Sequence, residues 1–102
     1  MLIMQPETTF PLGVIVITNS VDAWISMGPE NHTAVTTALH RHCKKDWGDM
    51  DPEDKKANDK GLETGQDRVH SAFKNQGKDD KTIWIITEYD GSVTTILFPE
   101  EY

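Results

Sequence analysis

The chain is poor in several things, and each shortage excludes something. It has 1 cysteine, Cys43, in 102 residues, so no internal disulfide can form and a reducing compartment is expected. No apolar run nears the roughly 20 residues needed to span a bilayer. The opening MLIMQPETTFPLG has neither the basic start nor the long apolar stretch of a signal peptide. A cytoplasmic protein without membrane contact is therefore expected, and the sequon at Asn31-His32-Thr33 is then irrelevant. Positive charge is also scarce: 10 Lys and Arg face 17 Asp and Glu, a net charge of −7. Such a chain repels phosphate backbones, so direct nucleic-acid binding is not expected.

What is present fits one globular domain over residues 1–102. Apolar residues are 36% and charged residues 26% of the chain, which is folded rather than disordered composition. The acidity is concentrated. Between Asp46 and Asp67 lie Asp46, Asp49, Asp51, Glu53, Asp54, Asp59, Glu63 and Asp67, against Lys55, Lys56 and Lys60. The following stretch, Arg68 to Lys81, is mildly basic.

The patterning predicts an α+β fold in the order β-α-α-α-β-β-β, with a C-terminal antiparallel meander and helices on one face. VIVIT at 14–18 is too short for a helix and β-branched, so it reads as a buried strand. Asn19 or Ser20 is a candidate cap for a short helix with Val21, Trp24 and Ile25 on one face. Asn31 is the candidate cap of a helix over 32–44, with Val35, Ala38, Leu39 and His42 on its apolar side. In DPED, Asp51 caps and Pro52 opens a third helix that runs to about residue 63, with Gly65 as its stop. Ala57 and Leu62 are its only apolar side chains, so it either packs on Trp47 and Met50 or awaits a partner. DRVHSAFK at 67–74 alternates as a strand. WIITEYDGSVTTILF reads as a hairpin about Asp90-Gly91 in a type I′ turn, with Thr87 opposite Thr94 and Ile86 opposite Thr95. Its threonines should fall where core meets solvent.

FPLG, DWGDMD, the ED pair with Asn58, and the closing W-I-T-E-x-D-x-S-V-T-T-I-L-x-P-E-E-Y together resemble a group of short proteins of bacterial plasmids, integrative elements and prophages. Some of that group carry a label linking them to type I restriction systems, which their length cannot support as an enzyme subunit. The resemblance covers most of the chain. It departs at residues 28–37, and at Gly91, where an arginine is usual. It implies a mobile-element setting and supplies no reaction.

Several site chemistries can be weighed. His40 and Cys43 have helical i, i+3 spacing, but two ligands do not make a metal site, and no cofactor is expected. DMDPED is not a calcium loop, because Asp54 stands where that loop needs glycine. Cys43 at a helix C-terminus has its thiol pKa moved the wrong way for a nucleophile. Two readings remain. In the first, a non-enzymatic protein binds a host protein with a basic surface, such as a nucleic-acid-binding defence complex, as an anti-CRISPR or anti-restriction inhibitor. The carboxylates of Asp46, Asp49, Asp51, Glu53, Asp54 and Asp59 would imitate nucleic acid, with Trp47 as the anchor. In the second, a small nuclease-like enzyme would use His70, Arg68, Glu88 and Thr95. An exposed edge strand would also allow two chains to pair.

Overall fold

The computed structural model describes residues 9–102. It is an α+β domain in which three helices accompany a four-stranded mixed sheet. The elements are β1 (Val14–Ile17), α1 (Asn19–Ile25), α2 (Pro29–Cys43), α3 (Pro52–Thr64), β2 (Val69–Gln76), β3 (Lys81–Thr87) and β4 (Val93–Leu97), then a 3₁₀ turn at Pro99–Glu101. The sheet order is β1-β4-β3-β2. β1 runs parallel to β4, and the other neighbours are antiparallel. No helix among the described residues is long and apolar enough to cross a membrane.

Alternation along the strands sorts the side chains. One face carries Val69, Ser71, Phe73, Ile83, Ile85 and Ile96, all buried, and packs with Val21, Trp24, Val35, Ala38 and Leu39 of α1 and α2. Burial of that apolar surface is the main favourable term. The opposite face carries His70, Ile86, Thr95 and Val16 across one row.

Helix starts differ from the sequence expectation by a few residues. α1 begins earlier because Thr18 is the cap, its hydroxyl accepting from the Val21 N–H at 3.3 Å. α2 begins at Pro29, whose missing N–H suits the first helical position. Asn31, expected as that helix's cap, is instead a buried clamp. It donates to the Trp24 carbonyl at 2.9 Å and accepts from the Lys78 N–H at 3.1 Å. The turn between β2 and β3 is thereby held onto the junction of α1 and α2.

The β3–β4 register is the expected one, with Thr87 opposite Thr94, but the turn is not type I′. That turn needs positive φ at both central residues, and of the pair only Gly91 has it, at 68°. The Gly91 N–H donates to the Glu88 carbonyl at 2.9 Å. The Asp90 carboxylate takes both the Ser92 N–H and hydroxyl at 3.0 and 2.6 Å, which stabilises this alternative. Thr94 is buried rather than set at the solvent boundary, and Thr87 is only 2% exposed.

The third helix does not join the other two over the sheet face but lies along the outer edge of β2. Asn58 makes both bonds a missing strand would make to His70: its amide donates to the His70 carbonyl at 2.7 Å, and its oxygen accepts the His70 N–H at 3.1 Å. The next edge residue is covered by the 47–49 loop. The Ala72 N–H donates to the Trp47 carbonyl at 3.1 Å, and the Asp49 N–H to the Ala72 carbonyl at 2.6 Å. The Asp49 carboxylate then accepts the Lys74 N–H at 2.8 Å. Gly48 makes the approach possible: its φ is 74°, and a Cβ there would lie 2.2 Å from the Ala72 carbonyl oxygen. Trp47-Gly48-Asp49 and Asn58 are thus a device for closing one sheet edge.

Replacing Asn58 by Ala orphans two backbone groups of His70 and is expected to cost about 2–4 kcal/mol. Gly48→Ala should cost at least as much, because backbone must move. Urea denaturation checks both, through a lowered midpoint at unchanged slope.

Candidate functional site

A cleft of about 620 Å³ opens where α3, the hairpin loop and the residues before β1 converge. α3 supplies Asp59, Leu62 and Glu63; the turn after it supplies Asp67; the end of β3 and the loop supply Glu88 and Asp90. Five carboxylates therefore line the cleft, against Lys45 as the lining cation. Phe10, Pro11 and Val69 make apolar wall. Asp59 is oriented by the Trp47 indole N–H, which donates to its Oδ1 at 3.0 Å. Hydrogen bonds from Ser92 hold the Asp90 carboxyl below its ordinary pKa.

A buried polar chain reaches this cleft through Thr87, which lines it. His42 Nδ1 lies 2.6 Å from Ser71 Oγ, and His42 Nε2 lies 2.9 Å from Thr87 Oγ1. Thr87 Oγ1 lies 2.7 Å from Thr94 Oγ1, and the Thr94 hydroxyl donates to the Leu12 carbonyl at 2.7 Å. The last link fixes the direction as far as the ring, because a carbonyl can only accept. Thr94, having spent its proton there, accepts from Thr87. Thr87 in turn accepts from His42 Nε2–H. Burial keeps the imidazole neutral, so it is the Nε2–H tautomer, and Nδ1 accepts from the Ser71 hydroxyl. Phe10 and Trp47 meet it edge-on, with centroids at 5.6 and 5.5 Å. Burial, with a smaller contribution from His70, pushes its pKa down to about 3. Ser71, His42, Thr87 and Thr94 are all at most 2% exposed. A serine–histidine pair this enclosed and fully partnered ties α2 to the sheet.

No family model, no curated protein and no solved structure matches the chain.

The residues expected to bind a partner are dispersed. Asp59 lines the cleft. Asp46 is paired with Arg41 at 2.7 Å, which holds the Asp46 carboxyl below its usual range. Asp49 is committed to Lys74, and Asp51 is the N-cap of α3, with Glu53 and Asp54 exposed in its first turn. Trp47 is 3% exposed, packed among Phe10, His42 and the core, so the expectation that it anchors a partner is corrected. Its indole is consumed by Asp59.

The alternative set does not converge. His70 and Thr95 share the sheet face away from α1 and α2, but Ile86 stands between them in the register. His70 packs edge-on against Trp84 at 4.4 Å, its Nε2 is buried without a partner among the described residues, and burial lowers its pKa. Arg68 lies over the Tyr102 ring, 5.0 Å from its centroid, while Glu88 lines the cleft. Among the described residues no three His, Cys, Asp or Glu are grouped to hold a metal. The Cys43 thiol bonds the His40 carbonyl at 3.1 Å, and burial raises its pKa.

Sequence reasoning missed Glu63, Asp67 and Asp90 as members of one site, since they come from a helix end and two turns. His42 did carry a signal, as the polar residue on an otherwise apolar helix face.

The pH dependence follows from His42. The unfolded chain takes up a proton near pH 6.5, and the folded chain refuses it until about pH 3. Stability is therefore full above pH 6.5 and lost as pH falls, by about 2 kcal/mol at pH 5 from this group. The lowered His70 adds in the same direction. Denaturation from pH 8 to 5 should show the slope and His42→Gln should flatten it; ¹⁵N shifts of His42 should report the Nε2–H tautomer throughout.

Proposed function

We propose that this chain is a non-enzymatic protein-binding protein whose acidic cleft receives a basic segment of its partner. The observation that carries the reading is the gathering of Asp59, Glu63, Asp67, Glu88 and Asp90 around an opening where Lys45 is the lining cation. Carboxylates held around a concave, partly apolar wall attract a Lys or Arg side chain more strongly than the same charges spread over a flat surface, because field lines focus there. The apolar wall of Phe10, Pro11 and Leu62 suits the methylene stem of such a side chain.

The partner class this implies is a protein with a basic groove, as nucleic-acid-binding defence complexes present. With the resemblance to mobile-element proteins, the reading becomes an inhibitor of host defence, of the anti-CRISPR or anti-restriction kind, acting by charge mimicry. The acids are better placed for this at the cleft than along α3. There Glu53 and Asp54 share the helix with Lys55, Lys56 and Lys60, which dilute the field.

Titration with a peptide of alternating Arg and Gly tests the cleft. Binding should weaken steeply with salt. The triple variant Asp59→Asn, Glu63→Gln, Asp67→Asn should lose about tenfold in affinity. Glu53→Gln with Asp54→Asn should change it less, and His70→Ala not at all. Affinity that ignores salt, or that survives the triple variant, contradicts the reading.

A further inference from the structure

The two edges of the sheet are treated in opposite ways. At β2, Asn58, the Trp47–Asp49 backbone and the Asp49 carboxylate occupy the outward groups of His70, Ala72 and Lys74. At β1, the other end of the sheet order, no strand among the described residues lies outside. The Val14 and Thr18 N–H groups donate to Ser92 and Ile96 of the β4 side. By alternation the N–H and C=O groups of Ile15 and Ile17 point outward. β1 also lacks the usual protections of an edge: VIVI contains no charge, no proline and no bulge.

Beside this edge lies a second, smaller groove of about 100 Å³. Its floor is Ile15, Ile17, Ile25, Val35 and Leu39. Asp22 lines it, and so does His32, whose Nε2 is buried without a described partner. On the other side of the strand, Val14 is 66% and Val16 41% exposed. A strand added to β1 would send alternate side chains into the groove and the others beside Val14 and Val16.

We propose that β1 is a strand-addition site for an extended segment of a partner protein, apolar at alternate positions and basic at its ends. Backbone hydrogen bonds to Ile15 and Ile17 would supply the grip, and the groove would select the apolar side chains. The basic ends answer to Asp22 and to the net charge of −7, which also opposes a second copy of this chain on the same edge. The site is separate from the acidic cleft and does not rest on it.

The test is an acetylated, amidated peptide, Lys-Val-Thr-Val-Thr-Val-Lys, titrated into the full chain and followed by amide NMR. Saturable binding that shifts Ile15 and Ile17 is expected. N-methylation of alternate peptide residues, which leaves the protein untouched, should weaken it by about tenfold or more. Ile15→Pro should remove it, and the cleft triple variant should keep it. The proposal is overturned by no binding, by equal binding of the N-methylated peptide, or by loss of binding in the cleft variant. A concentration-dependent dimer by sedimentation that excludes the peptide would assign the edge to a second copy instead and overturn it too.

Discussion

The attachment of α3 to the edge of β2 is the constraint on which the rest depends. This helix has little apolar surface, with Leu62 half-buried and Asn58 and Gly61 its buried residues. Hydrophobic burial alone would not hold it. Asn58 does so by standing in for a fifth strand at His70. The Trp47 indole fastens the helix from the other side through Asp59. Because the backbone groups bridged are buried or half-buried, leaving them unpaired is costlier than the bonds are individually favourable. The helix then carries Asp59 and Glu63 to the cleft, so an edge-closing device and a charged opening are the same piece of structure.

The interior has a matching feature. A core this small tolerates a histidine because each polar atom in the chain from Ser71 to Leu12 is partnered and the terminal carbonyl, with the neutral ring, imposes a single direction. Fully satisfied, such a chain specifies one packing of α2 against β2, β3 and β4; with one hydroxyl missing it becomes a liability. Thr87 belongs both to this chain and to the cleft wall. The buried chain thereby reaches the rim, where Glu88 follows in sequence.

Much of the fold was legible because periodicity carries it. The strand at DRVHSAFK, the closing hairpin and the helix opened by DPED follow from alternation, caps and turn residues, and the Thr87–Thr94 register came with them. VIVIT is a strand, as its β-branched run implies, but not the buried one expected: it ends the sheet order, with Val14 66% and Val16 41% exposed. The errors arose where a side chain's partner is remote in sequence. Asn31 looks like a cap until Lys78 is brought to it, 47 residues away. Asp90-Gly91 is the local exception: it looks like a type I′ turn until the Asp90 carboxylate binds Ser92, two residues on. Trp47, set among acids, looks like a surface anchor until Phe10 and His42 close over it. The candidate site was less legible still. Charge density along the chain pointed to residues 46–59, whereas the carboxylates that share an opening come from 59, 63, 67, 88 and 90, a grouping made only by the closing of the edge.

That closing can be measured directly by native-state hydrogen exchange of three amides on one strand: His70, Ala72 and Lys74. If Asn58, the Trp47 carbonyl and the Asp49 carboxylate seal the edge, these amides exchange only through near-global unfolding, as slowly as amides in the centre of the sheet. Exchange at the rate of an exposed edge strand, with the sheet centre still protected, would mean that α3 is not held there, and the cleft would lose its wall.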